Sequence, residues 1–280
     1  MPLIIAIDRF HFMRTRIVFV LFDAALAHMV VLAGCAKNNP GARLRLGVIS
    51  GPEEQVAEVA RQVAREKYGL EVELVVFNDY NTPNAALADG SIDANAFQHT
   101  PFLEQQIKDR GFKLALVGRT FLYPIAGYAK RIRNLTELKD GAQIAVPNDP
   151  TNLGRALVLL EKQQLIALRA GVGVRATPLD IAANPRRFRI VELEAAQLPR
   201  VLEDVDLAII NTTYAAQIGL TPTKDGLFVE GTDPPYVNLI VARADNRNSD
   251  AVCTFVKAYQ SEEVFTAAKN IFRGGVIKGW

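Results

Sequence analysis

The residues from Asp93 to Leu103 read Asp-Ala-Asn-Ala-Phe-Gln-His-Thr-Pro-Phe-Leu, and this pattern indicates the class of fold. Pro101 stands where a helix can begin, because the N–H that proline lacks has no partner in the first helical turn. Apolar residues follow it at helical spacing, so Asn95 to His99 is predicted to be a strand end that passes into a helix. Open α/β sheets hold their ligands at such strand ends. The stretch therefore predicts an α/β fold and the position of its site.

Two aromatic residues and one histidine meet at this strand end. They are Phe97, His99 and Phe102, and His99 is the only histidine after residue 34. From the local pattern alone, two interpretations stay open. Either both phenylalanines belong to the core and His99 caps the helix, or the three side chains line a pocket. The local pattern by itself favours the first interpretation.

Strands alternate with helices along most of the chain. The predicted strands include 44–49, 72–77, 143–146, 190–193, 207–210 and 236–241. Such alternation implies βαβ units and largely parallel sheets. Pro124 and Gly127 punctuate an apolar stretch, so the chain is predicted to cross between two lobes from about Tyr123 to Ala129.

The composition limits the classes of function that the chain can have. With 280 residues, 49% of them hydrophobic, the chain can bury a large core and is long enough for two ordinary domains. Charged residues make up 22% and the formal net charge is +2, without the basic stripe that a nucleic-acid partner would need. We find no G-x-S-x-G, P-loop or paired-cysteine zinc pattern. We therefore expect no cofactor, no metal site and no nucleic-acid partner.

The first residues have the pattern of an export signal. Arg14 and Arg16 precede an apolar run, 17–32, which ends in Leu-Ala-Gly and then Cys35. A basic flank, a short apolar segment and small residues before a cut site are typical of a secretory signal peptide. The ending resembles a bacterial lipobox, in which Cys35 would be lipidated and become the mature N-terminus. The alternative is a buried N-terminal helix in which Cys35 is an incidental small hydrophobic residue.

Arg155 follows the string Val-Pro-Asn-Asp-Pro-Thr-Asn-Leu-Gly, which leads into an apolar helix. Thr151 or Asn152 is predicted to be the N-cap, and Arg155 lies one turn into the helix. A guanidinium can hold a carboxylate with two charge-assisted hydrogen bonds, which lysine cannot imitate. Without further information, a solvated surface arginine is the better interpretation.

Several long strings of the chain occur in the order in which one protein family has them. They are Phe77-Asn-Asp-Tyr80, Asn95-Ala-Phe-Gln-His-Thr-Pro-Phe-Leu103, Phe121-Leu-Tyr-Pro-Ile-Ala-Gly-Tyr128, Val146-Pro-Asn-Asp-Pro-Thr-Asn-Leu-Gly-Arg155, Ile210-Asn-Thr-Thr-Tyr-Ala215, Tyr236-Val-Asn-Leu-Ile-Val241 and Gly274-Gly-Val-Ile-Lys-Gly-Trp280. Together they resemble the methionine-binding lipoproteins of ABC importers, the NlpA family. The resemblance covers essentially everything after the leader.

This resemblance implies an α/β, two-lobed, periplasmic-binding-protein-like fold. Each lobe would be a mostly parallel sheet flanked by helices, with the ligand in the cleft between the lobes. We expect a lipoprotein signal peptide over residues 1–34, a tether over 35–42, lobe 1 over 43–127 and 237–280, and lobe 2 over 128–236.

The resemblance also implies which residues bind the ligand. Positions that surround the methionine side chain in the family are Tyr80, Phe97, His99 and Phe102. The family commonly has Tyr at the last of these positions, so Phe102 lacks a phenolic hydroxyl. Positions that hold the amino-acid head group are Arg155, for the α-carboxylate, with Asn211 and Asn238. By local pattern alone, Asn211 is equally well interpreted as a loop asparagine that caps the next helix.

The implied function is that of a substrate-binding lipoprotein of an ABC importer, without catalytic residues. It would capture L-methionine or D-methionine and deliver it to a membrane permease and its ATPase. A lipid on Cys35 would anchor it to a membrane of the cell envelope, facing the periplasm or the exterior. Three alternatives stay open: a binding lipoprotein for another small apolar amino acid, a lyase or dehydratase on the same fold that uses His99 or a carboxylate, and a lipoprotein scaffold with no ligand.

Overall fold

The computed structural model describes residues 43–232 and 234–280. The predicted signal peptide, the tether and Cys35 lie outside the described residues. The strands are β1 Arg43–Ile49, β2 Glu71–Phe77, β3 Ala94–His99, β4 Leu114–Leu122, β5 Ala126–Tyr128, β6 Gln143–Pro147, β7 Ala167–Leu168, β8 Ile181–Ala183, β9 Arg189–Leu193, β10 Leu207–Ile210, β11 Phe228–Val229, β12 Val237–Arg243 and β13 Ile277–Lys278. The α-helices are α1 Pro52–Tyr68, α2 Pro83–Ala88, α3 Thr100–Arg110, α4 Pro150–Lys162, α5 Thr212–Gln217, α6 Pro222–Asp225, α7 Asp250–Tyr259 and α8 Glu262–Ile271.

The first sheet has the strand order β13-β4-β12-β3-β1-β2. Strands β1 and β2 are parallel, as are β1 and β3, whereas β12 is antiparallel to both β3 and β4. It follows that β1 to β4 run in one direction. The strands that come from the end of the chain, β12 and β13, run in the other. The strand that was predicted over residues 236–241, observed as β12, is thus inserted between β3 and β4.

The second sheet has the order β11-β5-β10-β6-β9. Within it, β6 is parallel to β9 and to β10, and β5 is the reversed strand. The predicted fold class, a two-lobed α/β architecture with sheets of mainly one strand direction, is therefore confirmed. The predicted boundary assigned Ala126 and Gly127 to lobe 1, whereas their strand pairing assigns them to the second sheet. These residues lie in the second sheet because their backbone pairs with β10 and β11.

Each sheet has its own apolar core, and a third apolar cluster joins the two. Ile49 and Phe97 enter this cluster from the first sheet, and Ala145 and Ile210 enter it from the second. All four are buried, so the ends of strands from both sheets meet there. Within residues 43–232 and 234–280, no helix has the length and apolar character that a membrane crossing requires.

Gly154 controls how closely α4 approaches the rest of the second lobe. A Cβ atom at this position would lie 2.0 Å from the backbone oxygen of Val174. That oxygen belongs to a short 3-10 helix, Gly173–Arg175, which packs against α4. The absence of a side chain at Gly154 therefore sets the position of α4.

We predict that Gly154→Ala destabilises the protein by about 1–3 kcal/mol, because a methyl group in a filled space forces the backbone to move. The free energy of unfolding, measured by chemical denaturation, tests this. Lys108→Ala, an exposed change on α3, is the control and should stay within about 0.5 kcal/mol of the wild type. A Gly154→Ala protein as stable as this control would contradict the assignment.

Candidate ligand-binding site

One cavity is lined by all seven residues for which the family resemblance implies ligand binding. They are Tyr80, Phe97, His99, Phe102, Arg155, Asn211 and Asn238. Phe97, His99 and Asn238 lie on β3 and β12 of the first sheet, and Tyr80 and Phe102 follow its strands β2 and β3. Arg155 lies on α4 and Asn211 follows β10, both in the second lobe. The cavity therefore lies between the lobes.

Three aromatic rings form one wall of the cavity. The ring centroid of Phe97 lies 5.9 Å from that of Tyr80 and 5.8 Å from that of Phe102. These separations are within the range of about 4.5–7 Å that attractive ring pairs adopt. All three side chains also belong to the apolar cluster between the sheets. Both interpretations of these aromatics are therefore correct, since the rings are core residues whose faces line a pocket.

His99 has two roles in the structure. Its Nδ1 accepts a hydrogen bond from the Phe102 N–H at 3.2 Å, so the predicted capping role at the start of α3 is confirmed. The proton of the neutral ring therefore belongs on Nε2, which lies 3.3 Å from Asn152 Oδ1. Burial, with a smaller effect of the nearby Arg155 charge, lowers the pKa of His99 to about 3. The ring is consequently neutral at ordinary pH and faces the cavity as an uncharged group.

Asn152 connects the predicted residues of the two lobes. The N-cap of α4 is Asp149, not Thr151 or Asn152, and Asp149 accepts hydrogen bonds from the backbone and side-chain nitrogens of Asn152. The amide oxygen of Asn152 is thereby turned to the cavity, where it accepts from Asn211 Nδ2 at 3.0 Å and from the His99 ring. Asn152 was missed as a site residue because its sequence position is typical of a cap.

Arg155 is buried, with 3% of its side chain exposed, so the interpretation as a solvated surface arginine is wrong. Its Nε donates to Glu230 Oε1 at 2.8 Å and its Nη2 to Glu230 Oε2 at 2.5 Å. Nη2 also donates to the backbone oxygen of Tyr123 at 3.1 Å, and the ring of Tyr236 covers the guanidinium at 4.0 Å. In the described part of the chain, Nη1 makes no hydrogen bond.

The two asparagines differ in how their amides are satisfied. Asn238 donates to the backbone oxygen of Phe97 at 2.9 Å, which explains an amide in an otherwise apolar strand. Asn211 makes no capping bond to α5, so its side chain is free to face the cavity. Its Oδ1 is buried without a hydrogen-bond partner among the described residues. Such an acceptor costs about 1–3 kcal/mol unless a donor reaches it.

Other lining residues were missed although they lie inside or beside the strings that carry the family resemblance. They are Gln98, Tyr123, Thr212 and Thr213, together with Asn152. The signal was their position directly beside a predicted site residue or at a strand end. Their side-chain directions depend on tertiary packing, which a strand or turn pattern does not specify.

Glu53 is a buried carboxyl group next to the cavity. It lies in the first turn of α1, is 3% exposed, and accepts a hydrogen bond from Thr213 Oγ1 at 2.6 Å. Its second oxygen, Oε2, has no partner among the described residues. Burial raises the pKa of Glu53 to about 8, although the bond from Thr213 opposes the rise. This carboxyl group therefore joins α1 of the first lobe to α5 of the second, largely in its protonated form at neutral pH.

A buried, partly aromatic and partly polar cavity between two α/β lobes defines a binding protein of the two-lobed periplasmic type. The model of the NlpA lipoprotein family matches residues 44–280, and the chain belongs to that family.

Relatives agree with this assignment over nearly the whole chain. The D-methionine-binding lipoprotein MetQ of Salmonella typhimurium is 62% identical over 259 residues, which are 91% of this chain and 96% of the relative. A crystal structure of the methionine-binding protein MetQ has a TM-score of 0.84 at 63% identity, covering 85% of this chain and 98% of that one. A nutrient-binding protein of Burkholderia cenocepacia bound to methionine has a TM-score of 0.83 at 48% identity, covering 85% and 100%.

We predict that Glu53→Gln makes the protein more stable at pH 9 and leaves its stability at pH 4 nearly unchanged. Between the ordinary pKa of 4.5 and the folded value of about 8, the folded chain keeps a proton that the unfolded chain has released. The contribution of Glu53 to stability therefore falls as the pH rises through this window. Glutamine resembles the protonated form and does not titrate, so the variant escapes this loss.

Thermal unfolding at pH 4, 6 and 9 measures the effect. Glu58→Gln removes a carboxylate that is 51% exposed on the same helix, and it serves as the control. A melting temperature of Glu53→Gln that differs from the wild type by the same amount at all three pH values would contradict the raised pKa.

Proposed function

We propose that this protein is the substrate-binding lipoprotein of an ABC importer, that it captures methionine in the cavity between its lobes, and that it delivers the ligand to a membrane permease and its ATPase. The observation that carries the proposal is that Tyr80, Phe97, His99, Phe102, Arg155, Asn211 and Asn238 all line one cavity. The family resemblance implies that methionine is held at these positions. Lipidation of Cys35 would keep the protein at a membrane of the cell envelope.

The polar groups of the cavity suit the head group of an amino acid. The free Nη1 of Arg155 would donate to the α-carboxylate, as a charge-assisted hydrogen bond. The unsatisfied Oδ1 of Asn211 would accept from the α-ammonium group, which removes the cost of leaving that oxygen buried and unpaired. A ligand with both groups on one carbon could make both contacts.

The aromatic wall suits a thioether. Contacts between sulfur and aromatic rings contribute about 0.3–1.5 kcal/mol each, and the rings of Tyr80, Phe97 and Phe102 lie together at the cavity. Methionine has about nine non-hydrogen atoms, and the best small ligands gain about 1.5 kcal/mol per atom, which gives a ceiling near 13 kcal/mol. Nanomolar affinity requires about 12 kcal/mol, so the ligand must be almost fully enclosed. A cavity whose lining side chains are buried supports such enclosure.

The position of the cavity also supports a role in transport. Since its walls come from both lobes, a ligand that contacts both walls stabilises the closed arrangement over an open one. A transporter can then recognise occupancy from the shape of the binding protein. The names of the relatives describe binding proteins and not enzymes, which supports binding over a lyase or dehydratase reaction.

We predict that Arg155→Ala abolishes methionine binding in isothermal titration calorimetry, because the carboxylate loses its charged partner. Arg155→Lys keeps the positive charge but cannot keep the fork geometry, so we expect affinity at least about a hundredfold below the wild type. Arg110→Ala, at an exposed position at the end of α3, is the matched control and should bind as the wild type does. Both enantiomers are to be titrated. Unchanged affinity in a folded Arg155→Ala protein would refute the proposed site.

Mass spectrometry of the ligand that remains bound through purification provides an independent test. Recovery of unaltered methionine is expected after incubation with the amino acid. Another small apolar amino acid would change the proposed ligand, and a chemically altered product would show that the protein is an enzyme.

A further inference from the structure

Glu230 is held as firmly as the arginine that it contacts. It follows β11, its side chain is 6% exposed, and both of its carboxylate oxygens accept hydrogen bonds from Arg155. Oε2 also lies 3.4 Å from the Ile125 N–H, and the backbone N–H of Glu230 donates to the Ile125 oxygen at 2.9 Å. The carboxylate is therefore fixed on the segment where the chain crosses between the sheets.

This contact determines how much of Arg155 remains for a ligand. A guanidinium has five N–H donors, one on Nε and two on each Nη. Glu230 takes the Nε donor and one Nη2 donor, and the Tyr123 oxygen takes the other Nη2 donor. Only the two donors of Nη1 are left without a partner in the described chain. A ligand carboxylate can therefore accept hydrogen bonds from Nη1 only. The edge formed by Nε and Nη2, which could hold a carboxylate with two hydrogen bonds, is already occupied by Glu230.

The contact also determines the charge of the cavity. Among the lining residues, Arg155 is the one permanently charged side chain, and no Asp or Glu lines the cavity. His99 is neutral, because burial holds its pKa near 3. Glu230 lies directly behind Arg155 and cancels its charge. The cation that faces the ligand is therefore compensated by its own buried ion-pair partner.

We propose that Glu230 is a positioning and specificity-determining residue: it aims Nη1 of Arg155 at the ligand, and it makes the buried site electrically neutral so that the site selects a zwitterion. The inference rests on the proposed function. A net charge brought into a buried, neutral site loses its hydration without compensation. A zwitterion adds no net charge and can satisfy both Arg155 and Asn211. An acid without the ammonium group, or an amine without the carboxylate, would add a net charge to the site and could not satisfy both residues.

Glu230→Gln tests the proposal with three ligands of almost the same size. They are methionine, its 2-hydroxy analogue, which is an anion because a hydroxyl replaces the ammonium group, and methioninamide, which is a cation. In the wild type, methionine should bind most tightly. In Glu230→Gln, the uncancelled charge of Arg155 should favour the anion, so the affinity of the hydroxy analogue relative to methionine rises at least about tenfold. The relative affinity of methioninamide should fall.

The controls separate charge from structure. Glu203→Gln removes the same charge at an exposed position of the second lobe and should leave both ratios unchanged. If Glu230→Gln weakens all three ligands by one common factor, Glu230 is only structural and the proposal is overturned. If the wild type does not bind methionine, the proposed function has failed, which is a separate result.

Glu230→Asp serves if the glutamine variant does not fold. The shorter carboxylate keeps the charge but cannot reach both Nε and Nη2, so methionine affinity should fall at least about fivefold while the ligand ratios stay near those of the wild type. If Glu230→Asp binds methionine as tightly as the wild type does, the positioning role is overturned. If this variant loses the wild-type preference for methionine over the other two ligands, the role of the charge is overturned.

Discussion

The buried ion pair of Arg155 and Glu230 is the interaction on which the site depends. Removing two charges from water has a desolvation cost of about several kcal/mol each. Their mutual attraction offsets this cost only when the geometry is good and the other donors are satisfied. Here the pair has two hydrogen bonds, a third bond to the Tyr123 backbone and an aromatic ring over the guanidinium. Because the partners come from α4, the crossing segment and the chain after β11, the second lobe must fold as a whole for the pair to form.

The sequence predicted the features that depend on neighbours along the chain. Pro101 and the helical spacing after it specify where β3 ends and α3 begins, and His99 takes its place as the cap for the same local reason. Alternating strands and helices gave the α/β class. The family resemblance supplied what no local pattern could, namely that Arg155, Asn211 and Asn238 face the same cavity as the aromatic residues.

Contacts between distant parts of the chain could not be predicted in this way. Glu230 is 75 residues from Arg155, and Glu53 is 160 residues from Thr213. In the sequence, each glutamate is one acidic residue in a chain with balanced charge, and acidic residues are mostly exposed. Asn152 was missed for a different reason, since an amide near a helix start has an adequate local explanation. Only the tertiary structure shows that Asp149 takes the capping role and leaves the Asn152 oxygen to the cavity.

Oδ1 of Asn211 and Oε2 of Glu53 are two of the buried oxygens that have no hydrogen-bond partner among the described residues, and both lie near the start of α5. Under the proposed function, each would raise the free energy of the closed arrangement if opening of the cleft exposes it to water. Under the proposed function, a ligand ammonium group would satisfy Asn211 but would not reach the interlobe contact of Glu53 with Thr213. The ligand would then remove one of two penalties, which stabilises closure while bound and leaves a residual tendency to open. The proposed function, retention of methionine and its release to a permease, would require both of these properties.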